Sequence, residues 1–151
     1  MPPPVDPVLH TMHDRNSIHQ GANTGHCWKS TLVSPLVVAC EIHPTGGGRA
    51  QSYLTTLVGA DANKRAEWGR HWMAEGFREI EALLSGSSDT GRFCHGDTPT
   101  MADAFLIPQV YNAERAGVDM TAFPTISRIY RQCNQLEAFS KAAPENQADA
   151  A

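Results

Sequence analysis

From Trp68 to Leu84 the apolar residues return at steps of mostly three and four: Trp68, Trp72, Gly76, Phe77, Ile80, Leu83 and Leu84. At 3.6 residues per turn these positions share one face of a helix. Lys64, Arg65, Glu67, Arg70, Glu75, Arg78, Glu79 and Glu81 fill the other faces. A long stripe of this kind has one stable use, which is to lie against a core built from other helices. Asp61 or Asn63 can cap the start, and the polar run Ser85-Gly86-Ser87-Ser88-Asp89 ends it. Trp68, Trp72 and Phe77 are expected as core aromatics.

The flanking segments supply such partners. Leu36, Val37, Val38, Ala39, Cys40 and Ile42 open a mostly apolar stretch, which Thr45-Gly46-Gly47-Gly48 interrupts, because three glycines are costly inside a helix. Ala50, Tyr53, Leu54 and Leu57 resume helical spacing up to the link Gly59 to Asp61. Further on, Thr100-Met101-Ala102-Asp103 reads as a reciprocal cap. The Thr hydroxyl can accept from the backbone N–H three residues later, and the Asp side chain can reach back to the N–H of Thr100. That gives Thr100 and Asp103 a folding role. The helix so opened carries Ala104, Phe105, Leu106, Ile107, Val110 and Tyr111, holds Pro108 in its interior, where a kink is expected, and stops at Gly117. Pro124 suits a first helical turn. Ile126, Ile129, Tyr130, Cys133 and Leu136 then form one stripe, continued by Phe139 and ended by Pro144. No strand-like alternation stands out. The expected fold is therefore an all-α bundle of about four or five helices over residues 34–144, with a frayed tail over 145–151.

Residues 1–33 are different. They hold Pro2, Pro3, Pro4 and Pro7, four histidines, few aliphatics and no period, so they are expected to form an irregular or disordered leader. His10, His13, His19, His26 and Cys27 are zinc-compatible donors without a scaffold to set their geometry, and no metal site is expected. The net charge of −4 argues against a nucleic-acid surface. No apolar run approaches the roughly 18 residues of a membrane helix, and no secretory signal is evident. Cys27, Cys40, Cys94 and Cys133 are scattered, as reduced thiols of a cytoplasmic protein would be.

The stretch Gly91-Arg92-Phe93-Cys94-His95-Gly96-Asp97-Thr98-Pro99-Thr100-Met101-Ala102-Asp103, followed by Ile107-Pro108-Gln109-Val110-Tyr111-Asn112-Ala113-Glu114-Arg115, resembles the zeta-class glutathione transferases, the maleylacetoacetate/maleylpyruvate isomerase family. Val118-Asp119, Phe123-Pro124-Thr125-Ile126, Ala143-Pro144-Glu145-Asn146-Gln147 and, upstream, Ala39-Cys40-Glu41-Ile42-His43-Pro44 continue the likeness, which covers roughly residues 34–148. It implies the helical C-terminal domain of a cytoplasmic isomerase of aromatic catabolism, with a homodimer as the expected assembly. In that reaction the glutathione thiol adds to a cis double bond, allows rotation and leaves again. The substrate is a dicarboxylate-like diketo acid.

The resemblance nominates Arg115, Arg49, Gln109 and Asn112 for substrate binding and His43 for the glycine end of glutathione. Each has a plainer reading: Arg115 before Gly117 can complement the helix dipole, and His43 can be a surface or capping residue. Gly46, Gly47 and Gly48 stand where the family has Asn, Asn and Leu. No catalytic residue is expected in this chain. The family's thioredoxin-like half carries a Ser-Ser-x-Ser/Cys-x-x-Arg-Val-Arg motif that activates the thiol, and Cys27-Trp28-Lys29-Ser30 is not that motif. The expectation is thus the second half of an isomerase behind an unrelated leader, as truncation, a frameshift or a mis-called gene start would produce. The alternative is an inactive chain that acts at most as a helical interaction module.

Overall fold

The computed structural model describes residues 34–148. The leader lies outside the described residues, and with it the donors His10, His13, His19, His26 and Cys27. The described residues are helical throughout, with connecting turns and no strand.

The first helix, α1, runs over residues 34–46 and contains a π-helical turn, Val38–Ile42, before its last α-helical turn, His43–Gly46. The break expected at the triple glycine is there: Gly47 is extended at φ −69° and ψ 156°. α2 (Gly48–Val58) resumes beyond it, buries no residue, and ends at Gly59 in the left-handed region at φ 64°. Of the two candidate caps for α3 (Ala62–Ser85), Asp61 takes the role by accepting from the Lys64 N–H at 2.9 Å.

The buried stripe of α3 is narrower than its spacing predicts. Gly69, Gly76, Phe77, Ile80 and Leu84 are buried, whereas Trp68 and Trp72 are only half-buried and Leu83 is exposed. The reason is the close approach of α1. A methyl group added at Gly76 would lie 2.2 Å from Ile42 Cγ1 and 2.5 Å from its Cδ1. α1 seats a β-branched side chain directly on the α3 backbone, and the tryptophans lie at the margin of that contact. Trp68 uses the position for its polar edge, donating from Nε1 to the Thr45 carbonyl at 2.8 Å.

A turn-rich loop then leads to α4 (Met101–Ala116), with Phe93 and Cys94 buried beneath it. The capping box between Thr100 and Asp103 forms as expected. Asp103 does more than cap, however, because it is fully buried. Its Oδ2 accepts from the Thr100 N–H (2.8 Å) and the Thr100 hydroxyl (2.9 Å). Its Oδ1 accepts from the Cys94 N–H (2.9 Å) and faces the Cys133 thiol at 3.9 Å. α5 (Pro124–Asn134) has no cap of its own. Glu81 of α3 supplies one, accepting from the N–H groups of Thr125 (2.9 Å) and Ile126 (3.0 Å) with its two oxygens. A short α6 (Glu137–Ala142) and a 3-10 turn, Pro144–Asn146, complete the described chain. The core joins Ile42, Phe77, Ile80, Leu106, Ile126 and Ile129.

Two outcomes follow from this packing. Gly76→Ala should destabilise the protein by about 1–3 kcal/mol in denaturant unfolding, the usual cost of overpacking. Adding Ile42→Ala removes the clashing atoms and leaves Cβ at an ordinary 3.7 Å, so the double variant should be more stable than the sum of the two single effects. An additive pair would sink the contact. The second concerns thiols. Burial, reinforced by the Asp103 charge, pushes Cys94 far above the ordinary thiol range and Cys133 up to about 12 from 9.0. The native Cys133 keeps its proton where the unfolded thiol has lost it, so its contribution makes stability fall as pH rises from 9.0 towards about 12. At about pH 8, alkylation followed by mass mapping should label exposed Cys40 and spare Cys94 and Cys133 until the chain unfolds.

Candidate functional site

With its N-terminus anchored through Asp103, α4 points Pro108, Tyr111, Asn112 and Arg115 outward and buries Leu106, Ile107, Gln109, Val110 and Ala113. Pro108 sits inside one continuous helix. On the outward side a cleft of about 550 Å3 opens between α4, α5, α6 and the Pro144–Asn146 turn. Its volume lies within the usual range of small-molecule sites. Its walls combine apolar groups, Ile107, Pro108 and Phe139, with the hydroxyls of Tyr111 and Tyr130 and the amides of Asn112 and Asn134.

Arg115 is outside the cleft lining but is hydrogen-bonded to Tyr111, which lines it. It lies one helical turn beyond Tyr111, donates from Nη1 to the Tyr111 hydroxyl at 3.0 Å, and sets its guanidinium 5.6 Å from the Tyr111 ring centroid. The Tyr111 hydrogen bond, chiefly, raises the guanidinium above its ordinary range, so Arg115 is a permanent cation. One N–H is used and the rest of the planar fork remains exposed, which suits a carboxylate. Tyr130, across the cleft, is pushed up chiefly by desolvation, with the Glu114 charge adding to the rise and Asn134 opposing it. Among the described residues Arg115 is not in an ion pair; the pairs are Arg78 with Glu75 and Lys141 with Glu137.

The nominated residues divide into separate places. Asn112 lines the cleft, and Arg115, outside the lining, is hydrogen-bonded to the lining residue Tyr111. Gln109 is 6% exposed and belongs to the core side of α4, outside the cleft lining. His43 and Arg49 are exposed on either side of the Gly46–Gly48 break and do not line this cleft. Three hydrogen bonds fix that break: Thr45 Oγ1 to the Ile42 carbonyl (3.0 Å), Trp68 Nε1 to the Thr45 carbonyl (2.8 Å) and Gln51 Nε2 to the Gly46 carbonyl (2.9 Å). Sequence reasoning missed Tyr111, Tyr130, Asn134 and Glu145 as cleft residues. The i,i+4 spacings of Tyr111 with Arg115 and of Tyr130 with Asn134 were the available signal. No cluster of three or more His, Cys, Asp or Glu able to hold a metal occurs among the described residues.

The family model described as "Glutathione S-transferase, C-terminal domain" matches residues 66–141. A maleylpyruvate isomerase from a Ralstonia species is 43% identical over 115 residues, which are 76% of this chain and 54% of that protein. The holo structure of a maleyl pyruvate isomerase, described as a bacterial zeta-class glutathione S-transferase, superposes with a TM-score of 0.79 at 38% identity, over 87% of this chain and 61% of that one. A maleylacetoacetate isomerase from Methylobacterium extorquens AM1, with malonate and glutathione bound, superposes with a TM-score of 0.79 at 30% identity, over 86% of this chain and 61% of that one. The chain spans about half the length of the curated relatives it matches.

Proposed function

The chain belongs to the family of glutathione S-transferase C-terminal domains, in its zeta-class branch, and we propose that it is the substrate-side helical half of a glutathione-dependent cis–trans isomerase of maleylacetoacetate or maleylpyruvate. The observation that carries this reading is Arg115, an exposed cation hydrogen-bonded to Tyr111, which lines a cleft of small-molecule size. Its free N–H groups hold one carboxylate of the diketo acid. The Asn112 amide and the tyrosine hydroxyls bond to the keto oxygens, and Pro108 and Phe139 pack on the carbon chain.

Glutathione, when bound, supplies the thiol nucleophile that opens the double bond to rotation. This chain offers only peripheral groups for it. His43 and Arg49 are exposed, and neither is in an ion pair among the described residues, so both are free to meet the glycine carboxylate. The 151 residues hold no paired serines followed by Arg-Val-Arg, so ionisation of the thiol falls to a thioredoxin-like half. Met101 and Phe105, one turn apart on α4 and 64% and 42% exposed, give that half an apolar surface to pack on. The setting we infer is cytoplasmic catabolism of aromatic compounds by a homodimer. No helix among the described residues is long and apolar enough to cross a membrane.

A chimera tests the reading. Residues 34–148 of this chain, put in place of the helical half of the Ralstonia maleylpyruvate isomerase, should give a folded enzyme that isomerises maleylpyruvate or maleylacetoacetate. A chimera that folds, binds glutathione and turns over neither compound overturns the proposal. In the active chimera, Arg115→Gln should lower kcat/KM by roughly ten- to a hundredfold, the worth of hydrogen bonds to a charged group. The 151-residue chain alone, mixed with glutathione, should leave maleylpyruvate absorbance unchanged. Its decay would mean that the chain itself ionises the thiol.

A further inference from the structure

Tyr111 and Arg115 form one unit. They stand one turn apart on α4, a helix fixed at its start by the Thr100–Asp103 cap and stopped by Gly117. Arg115 Nη1 donates to the Tyr111 hydroxyl at 3.0 Å, and the guanidinium lies 5.6 Å from the Tyr111 ring centroid. The hydrogen bond and the ring contact together hold the cation in one orientation. Tyr111 lines the cleft and Arg115 does not. The phenol is therefore the point at which a molecule in the cleft comes within reach of the cation.

The donors of this unit select its ligand. A phenol oxygen accepts a hydrogen bond and carries one proton of its own. The accepting role is taken by Arg115, and among the described residues no hydrogen bond takes the proton. The other N–H groups of the guanidinium stay exposed. Two unlike donors thus stand side by side, a neutral O–H and a cationic N–H, with heavy atoms 3.0 Å apart. Their complement is a neutral acceptor next to an anionic one. A keto group bonded directly to a carboxylate supplies this, because one rotation brings its keto oxygen beside a carboxylate oxygen. A methylene between the two groups adds a second rotation, and holding the oxygens together then costs more entropy.

We propose that Tyr111 and Arg115 are a specificity-determining pair that reads a 2-oxo acid end, Tyr111 donating to the keto oxygen and Arg115 to the adjacent carboxylate. The proposal rests on the reading of Arg115 as the carboxylate-holding group, and it goes further by choosing between the two substrates. Maleylpyruvate ends in a keto group bonded to a carboxylate. Maleylacetoacetate has a methylene between them. The pair therefore favours maleylpyruvate.

The test uses the full 151-residue chain and two isomeric probes, 2-oxobutyrate and acetoacetate, which share atoms and charge and differ only in the position of the keto group. Each is titrated by NMR at low ionic strength against wild type, Tyr111→Phe and Arg115→Gln. Wild type should bind 2-oxobutyrate about threefold to tenfold more tightly than acetoacetate, the worth of one added neutral hydrogen bond. Tyr111→Phe keeps the ring beside the guanidinium and removes the hydroxyl, so the preference should vanish. Arg115→Gln should weaken both probes by roughly tenfold or more. Equal affinities in wild type, or a preference that Tyr111→Phe leaves in place, overturn the pair. If Arg115→Gln still weakens both probes in that case, the reading of Arg115 stands without the pair. If Arg115→Gln changes neither, both fall. Wild type that binds neither probe also overturns the pair, while turnover by the chimera judges the isomerase reading separately.

Discussion

A single buried carboxylate organises the described chain. Asp103 lies where an unpaired anion would be very costly, and it is kept there by the Thr100 and Cys94 N–H groups and the Thr100 hydroxyl, with the Cys133 thiol beside it. These groups come from three places: the first turn of α4, the loop before it, and the last turn of α5. Without the carboxylate, the buried Cys94 N–H and the half-buried Thr100 N–H would lose their acceptor, the buried one at a cost of about 1–3 kcal/mol. The geometry they impose extends along the helix. Arg115 follows Asp103 by twelve residues, or about 18 Å of helix axis, in a continuous rod. The position of the cleft is therefore set by a group that takes no part in it.

Much of this was legible beforehand. Periodicity located α3 and α5, the glycine run located the break between α1 and α2, and the Thr100–Asp103 spacing located the start of α4. What periodicity cannot supply is the width of a buried stripe, because that depends on how close the neighbouring helix comes. Trp68 and Trp72 keep four-residue steps with Gly76, yet they flank the α1 contact instead of filling it. Glu81 reads as one more solvated charge on α3, and only the meeting of α3 with α5 makes it a helix cap. The site shows the same division. Arg115 and Asn112 were nominated through resemblance to a known family. Tyr130, Asn134 and Glu145 come from elements that only the tertiary fold brings beside α4.

The electrostatics of the cleft are those of a modest, adjustable site. Arg115 is exposed and oriented through a tyrosine that lines the cleft, and Glu145 sits on a turn fastened to α6. The aromatic walls add contact area with little loss of side-chain freedom.

The seat of Ile42 on Gly76 has a bearing on how such chains diverge. The two positions share one small volume, and the Trp68–Thr45 hydrogen bond holds the two helices together while Glu81 ties α3 to α5. Neither helix can retreat to admit a larger residue. In homologues, a side chain at the position of Gly76 should therefore occur with a smaller residue at that of Ile42, so that the two sites drift as a pair while their neighbours vary freely.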